Sequence, residues 1–161
     1  MQTPLQSLSE PIILQPGEGE QIEFGGNLMT FKVTAEQTGG AFSIVEYTVA
    51  PGFVAPPVLH ANTKEDWTGF VLEGRIGVEF ENERRVVIPQ GGFLFCPRNT
   101  MFRWWNDVNE TSRWLCSYTP GGFENYFREI TAALAEFPKE NFDIKQAMPV
   151  VLPLWEKYGI K

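Results

Sequence analysis

The chain has 161 residues, of which 43% are hydrophobic and 20% charged, with 20 acidic against 13 basic side chains. These proportions are typical of one globular domain and exclude a disordered chain. The net charge of −7 argues against nucleic acid and anionic membranes as partners, because both require clustered Lys and Arg, and the densest basic group is Arg84-Arg85.

The N-terminal residues do not combine a basic segment with an apolar stretch, and no apolar run approaches the ~20 residues that a membrane helix needs. Cys96 and Cys116 have neither a metal-type spacing nor enough partners for a disulfide framework. We therefore expect reduced, buried thiols and a cytoplasmic protein.

The region from about Ile12 to Thr119 predicts many short strands, because Val, Phe, Tyr and Trp cluster between Gly, Pro and Asn. The predicted strands are residues 41–49, 69–72, 76–80, 80–87 (across a polar turn at 81–83), 93–96, 101–105 and 113–119. Residues 73–75 are expected to form a hairpin turn. Strands this short, without helices between them, indicate an all-β sandwich or barrel.

Beyond Gly122 the pattern becomes helical. Apolar residues recur at steps of three or four at Phe123, Phe127, Ile130, Leu134 and Phe137. Pro138 is expected to end this helix, and a second helix is predicted from near Pro149 to Tyr158, with Gly159 as the residue after its C-terminus. The apolar stripe predicts that these helices cap the β domain and do not form a second domain.

Residues 51–74, PGFVAPPVLHANTKEDWTGFVLEG, resemble the first cupin motif, G(X)5HXH(X)3,4E(X)6G. Gly52 matches the first glycine, Val58 occupies the first histidine position and His60 the second. Counting from His60 places Glu65 at the glutamate position, whereas counting back from the final glycine places Trp67 there. The segment therefore carries about two extra residues.

Residues 91–106, GGFLFCPRNTMFRWWN, resemble the second cupin motif, G(X)5PXG(X)2H(X)3N. Gly91, Pro97 and Asn106 match at the right offsets. Asn99 replaces a glycine, which is a mild change because Asn tolerates left-handed backbone geometry. Phe102 replaces the last histidine.

The resemblance to cupins implies an all-β fold, the double-stranded β-helix or jelly-roll barrel, with a C-terminal α-helical appendage. We expect a single domain over residues 1–161, with an N-terminal strand or arm at about 1–25, the barrel at 26–120 and the helices at 121–161. The tail is similar to that of small quercetin-dioxygenase-like cupins. In related cupins the N-terminal segment often joins a partner's sheet, so the resemblance also implies a homodimer.

Cupins commonly bind a metal through three histidines and one glutamate. Here the corresponding positions hold Val58, His60, Glu65 or Trp67, and Phe102, and His60 is the only histidine. Because transition metals require several imidazole or thiolate donors, we expect no metal cofactor. The alternative is iron, manganese, zinc or nickel in a non-standard site, with Glu46 or Asp66 as replacement donors.

Strand alternation places Phe102 and Trp104 on one face. If that face lines the lumen, Phe102, Trp104 and Trp67 would form an apolar pocket near Val58 and His60 for a small apolar or planar aromatic ligand. The alternative is that these rings fill the barrel and leave no pocket.

His60 allows three interpretations: a core histidine without chemistry, a general acid or base oriented by Glu65 or Asp66, or a residual metal ligand. The chain is therefore either a metal-free binder, an isomerase or cyclase, a metal-dependent oxidoreductase, or a barrel without a ligand. Whether it is an enzyme stays open.

Two tryptophans and one arginine are assigned outside the pocket. Trp105 and Trp114 are expected on helix-packing or dimer surfaces. Arg103, between two inward-facing positions, is expected to be a solvated charge.

Overall fold

The computed structural model of the chain describes residues 10–140 and 142–161, which form ten strands and two α-helices. The strands are β1 (Glu20–Phe24), β2 (Asn27–Val33), β3 (Ser43–Val49), β4 (Val54–His60), β5 (Asp66–Glu73), β6 (Arg75–Phe80), β7 (Arg84–Pro89), β8 (Phe93–Cys96), β9 (Phe102–Trp105) and β10 (Ser112–Thr119). The helices are α1 (Glu124–Leu134) and α2 (Ile144–Tyr158).

The strands form two antiparallel sheets. The larger sheet has the order β1-β2-β3-β10-β5-β8, and the smaller has the order β4-β9-β6-β7. Non-consecutive neighbours such as β3 and β10 show that the chain crosses between sheets, as in a jelly roll. The all-β prediction and the helical appendage are confirmed.

The inner faces of both sheets carry the core, because side chains alternate along each strand. In β10 the buried residues are Ser112, Trp114, Cys116 and Tyr118, and in β9 they are Phe102 and Trp104. The prediction that Phe102 and Trp104 share the inward face is thus confirmed.

Asn106, the last residue of the second motif, is buried and ties three segments together. Its side-chain amide donates to the carbonyls of Val49, Ala50 and Glu110, and its oxygen accepts from Val108 N and Ser112 Oγ. Asn99, the motif's other asparagine, has a φ of 67°, as its replacement of glycine predicted.

Helix α2 begins earlier than the sequence predicted. It starts at Ile144, where the Asp143 side chain accepts a hydrogen bond from Lys145 N, and not near Pro149. Pro149 and Pro153 lie inside the helix, four residues apart and exposed, so both rings project from its solvent side. Gly159 ends the helix with a φ of 69°, as predicted.

The expectation for Arg103 as a solvated charge was wrong. Its side chain points away from the core and is half-buried, where Nε donates to Glu79 Oε2 at 2.6 Å. Glu79 is 7% exposed and also lies 3.5 Å from Arg85, so the outer face of the smaller sheet holds an ion-pair network. A buried carboxylate needs such partners to remain charged.

The N-terminal segment contributes β1, which pairs with β2 of the same chain. Residues 1–9 of the predicted arm lie outside the described residues. Ahead of β1, Ile12, Ile13 and Leu14 are exposed. Neither of the described helices has the length and apolar character required to traverse a bilayer.

Candidate functional site: a capped cavity in the barrel

A cavity of about 450 Å³ lies between the barrel interior and the C-terminal helices. Its barrel wall includes Tyr47 of β3 and Trp114 and Tyr118 of β10, and its helical wall includes Phe127, Met148 and Val151. The helices therefore cap the barrel, as the apolar stripe predicted. The volume falls within the range of roughly 300–1,000 Å³ that small-molecule sites occupy. The alternative of a filled barrel is not supported.

All five residues predicted to bind a ligand line this cavity: Val58, His60, Trp67, Phe102 and Trp104. The ambiguity between Glu65 and Trp67 is resolved in favour of Trp67, which is buried on the inward face of β5. Val58 is about half exposed, as are Val54 and Ile144, so these three residues mark the opening between β4 and the start of α2.

The pairing of β4 with β9 brings His60 and Phe102 into contact; these are two of the positions at which the cupin motifs have histidines. His60 pairs with Phe102, after a register shift that begins at Ala55 and includes Pro56 and Pro57. Proline lacks the backbone donor that a regular ladder requires, which explains an irregular edge strand at this point. The ring centroids of His60 and Phe102 lie 4.4 Å apart.

Aromatic rings continue from this pair along the wall. Phe102 lies 4.8 Å from Trp67, Trp67 lies 5.6 Å from Trp114, and Trp114 lies 6.4 Å from Tyr47, measured between ring centroids. Such a surface offers both faces and edges of π systems to a planar ligand.

His60 is buried and uncharged at neutral pH. Burial lowers its pKa to about 4, although interactions with the backbone of Val58 and Phe102 oppose this shift. Among the described residues, none makes a hydrogen bond to its Nδ1. At neutral pH the imidazole therefore carries one N–H and one unprotonated nitrogen, which can accept a proton or a hydrogen bond.

Glu65, the candidate partner of His60, does not line the same cavity. It lies in a smaller neighbouring pocket with Lys64, Lys157 and Tyr158. Burial raises the pKa of the Glu65 carboxyl to about 7, although the positive charges of Lys64 and Arg98 oppose the shift. Asp66, the other candidate partner, binds Arg98 through both carboxylate oxygens. The structure thus leaves His60 without either carboxylate in its cavity.

The donor set does not fit a transition metal. No group of three or more His, Cys, Asp or Glu side chains in the described part of the chain could hold an ion. Glu46, a proposed substitute donor, is paired with Lys32 and Arg113, and Asp66 is paired with Arg98. The phenyl ring of Phe102 occupies the place beside His60.

The cysteines are buried and unpaired, as expected. Burial raises the pKa of Cys96 to about 11 and that of Cys116 well above its usual value, so both remain thiols. Neither lines the cavity.

One residue of the cavity wall was predicted elsewhere, and several others were not predicted. Trp114, expected at a surface, is 1% exposed and lies in the wall. Tyr47, Tyr118, Asn27 and Asn62 also line the cavity. The alternation within β3 and β10 could have identified Tyr47, Trp114 and Tyr118, because each lies at an inward position of its strand.

Comparisons with known proteins agree with this architecture. The cupin domain family matches residues 45–118. The quercetin 2,3-dioxygenase of Bacillus subtilis (strain 168) is 30% identical over 112 residues, which are 70% of this chain and 32% of that enzyme. The chain thus spans about a third of that relative's length.

Two solved structures share the fold. The polyketide cyclase RemF from Streptomyces resistomycificus has a TM-score of 0.60 at 16% identity, covering 68% of this chain and 80% of that one. KdgF from Halomonas sp. has a TM-score of 0.59 at 17% identity, covering 69% and 96%. The family match over residues 45–118, together with the two motifs and the jelly-roll topology, identifies a cupin domain in this chain, and the two solved structures show the same fold.

Proposed function

We propose that this cupin binds a small apolar or aromatic molecule inside the barrel without a metal ion. The observation that carries the proposal is the aromatic cavity of about 450 Å³, whose wall includes all five predicted ligand-binding residues. Apolar walls with few polar groups are typical of small-molecule sites. The single imidazole, flanked by Phe102, favours binding without a cation.

His60 could also serve proton-transfer chemistry of the isomerase or cyclase type. Among the described residues of the cavity wall, it is the one with a suitable acid–base group, apart from tyrosine hydroxyls that burial keeps protonated. A structural neighbour of this fold is described as a polyketide cyclase. If the chain has such an activity, His60→Ala should reduce the rate by about 10² or more, and unchanged rates would remove His60 from the mechanism.

Binding is tested with 2-naphthol as the probe, by equilibrium dialysis against purified protein. Val151→Phe fills the helical wall of the cavity and should weaken binding at least tenfold. Leu152→Phe is the matched control, because Leu152 follows on the same helix but is exposed and does not line the cavity. Equal binding by both variants, or no binding by the unmodified chain, would refute a site in this cavity.

Metal independence is tested separately. The protein, purified without added metal, should contain iron, manganese, zinc and nickel only at substoichiometric levels by elemental analysis. Its affinity for 2-naphthol should not change after dialysis against a chelator. Stoichiometric metal, together with altered binding after chelation, would contradict the proposal.

The second candidate function is a metal-dependent oxidoreductase of the dioxygenase type. The identity to a quercetin 2,3-dioxygenase over 70% of this chain is the observation that favours it. It predicts oxygen consumption with quercetin after addition of iron, manganese, nickel or zinc. We expect none above the rate of the free metal, since only one imidazole is available for coordination.

A further inference from the structure

The described part of the cavity wall has no side chain that carries a charge at neutral pH. None of the described residues that line it is Asp, Glu, Lys or Arg. Its one imidazole, that of His60, is neutral because burial lowers its pKa to about 4. Transfer of an ionised group into an apolar site without a partner is strongly unfavourable. A ligand of this cavity is therefore expected to be uncharged.

One polar position in the wall is the pair Tyr47 and Tyr118. Their hydroxyl oxygens lie 2.5 Å apart and are buried. Burial raises the pKa of both, so each keeps its proton. A hydrogen bond between two hydroxyls uses only one of the two protons, and no other described group hydrogen-bonds to either oxygen. The pair therefore retains one O–H donor for an acceptor on the ligand.

A second polar position lies at His60 and Asn62, which are 7% and 4% exposed. His60 Nδ1 and Asn62 Oδ1 have no hydrogen-bond partner among the described residues. Buried polar atoms without partners are costly, so a ligand hydroxyl that reaches them would gain affinity. Along the wall, three aromatic rings separate His60 from Tyr47: Phe102, Trp67 and Trp114.

We propose that the cavity selects an uncharged planar aromatic ligand that carries oxygen at both ends. One oxygen accepts a hydrogen bond from the Tyr47–Tyr118 pair, and a hydroxyl at the other end bonds to His60 or Asn62. The aromatic body lies along the tryptophans between the two polar positions. This inference rests on the proposed function and specifies the ligand class and its orientation.

The test compares four probes by equilibrium dialysis: naphthalene, 2-naphthol, 2,6-dihydroxynaphthalene and the anion 2-naphthoate. An apolar cavity without free donors would favour naphthalene, because a hydroxyl loses its hydration on entry. We expect the opposite order, with each added hydroxyl increasing affinity about threefold to tenfold, the contribution of one hydrogen bond. The anion should bind at least tenfold more weakly than 2-naphthol.

Variants assign each hydroxyl to its position. The double substitution Tyr47→Phe with Tyr118→Phe should remove the advantage of 2-naphthol over naphthalene, while naphthalene still binds. Asn62→Leu should reduce the additional advantage of 2,6-dihydroxynaphthalene over 2-naphthol. Tyr158→Phe is the matched control, because it also removes a tyrosine hydroxyl but Tyr158 does not line this cavity.

The outcomes separate this inference from the proposed function. If naphthalene binds at least as tightly as 2-naphthol, or the double variant keeps the preference for 2-naphthol, the inference is wrong while aromatic binding stands. Tight binding of the anion would also overturn it. If none of the probes binds, the proposed function itself fails.

Discussion

His60 illustrates how one buried side chain couples the site to the stability of the fold. Its pKa is lowered from 6.5 to about 4, so the folded state resists protonation that the unfolded chain accepts. The contribution of the neutral imidazole to the free energy of unfolding is therefore fully present above pH 6.5 and is lost as the pH falls toward 4.

We predict that His60→Gln makes the protein less sensitive to acid. The free energy of unfolding of the unmodified chain should lose about 2–3 kcal/mol from this group between pH 7 and 4.5. The variant should lack this contribution, as measured by urea unfolding at both pH values. An equal loss in both proteins would show that the imidazole is not desolvated.

Glu65 has the opposite effect on how the free energy of unfolding depends on pH. Its pKa is raised from 4.5 to about 7, so the folded state favours the protonated carboxyl. The stabilising effect of that protonation is present below pH 4.5 and is lost as the pH rises through 7.

Glu65→Gln, which keeps the shape of a protonated carboxyl, should therefore stabilise the protein more at pH 8 than at pH 5. We expect the difference between variant and unmodified chain to change by about 2–3 kcal/mol over this range in urea unfolding. A gain from Glu65→Gln that is independent of pH would contradict the shifted pKa.

The residues of the site differ in how far the sequence could predict them. His60 and Phe102 were predictable because both occupy fixed positions of the two motifs. The choice between Glu65 and Trp67 was not, because two extra residues separate the fixed points of the first motif. The Tyr47–Tyr118 bond joins residues 71 positions apart, and only the pairing of β3 with β10 brings those strands together.

At the scale of the strands, two glycines lie beneath tryptophans. A Cβ on Gly69 of β5 would lie 2.6 Å from the ring of Trp114, which lines the cavity. A Cβ on Gly77 of β6 would collide with the ring of Trp105, which does not line it. The same substitution should therefore have different consequences on the two strands.

We predict that Gly69→Ala pushes Trp114 toward the cavity and weakens 2-naphthol binding by more than its effect on stability explains. Gly77→Ala should cost about 1–3 kcal/mol of stability, the usual penalty for overpacking, and leave the affinity of the folded protein unchanged. Thermal unfolding and equilibrium dialysis on both variants measure the two effects. Reduced affinity in both variants would contradict this prediction, because the effect would then not depend on whether the displaced tryptophan lines the cavity.

The limits of the predicted strands agree better with the structure than the start of the second helix does, although β2 and β4 were not predicted as strands. Turn dipeptides such as Pro51-Gly52, which closely follows β3, are local signals, so the limits of the predicted strands follow from short segments. Pro149 looked like a helix start because proline is favoured in a first turn. Its actual place inside α2 depends on Asp143, whose side chain caps the helix, and on the exposure of the proline ring.

At the scale of the whole molecule, an aromatic patch lies on the outer face at the β8 edge of the larger sheet. Phe70 pairs with Phe93, and Phe95 lies two residues further along β8; all three are exposed, by 41–63%. An unpaired strand edge with apolar side chains is a site at which a second chain can associate. We therefore retain the prediction of a homodimer and propose that this patch takes part in the contact.

Light scattering after size exclusion should give a mass about twice the 18.3 kDa of one chain. The double variant Phe93→Glu with Phe95→Glu should have the mass of a single chain. A symmetric contact would bury both glutamates of each chain, which is unfavourable. Phe142→Glu is the control, since Phe142 is similarly exposed but precedes α2. The unmodified protein eluting as one chain would exclude the dimer, and a dimer that survives both substitutions would place the contact elsewhere. Because Phe93, Phe95 and Phe142 do not line the cavity, ligand affinity should not change in either variant.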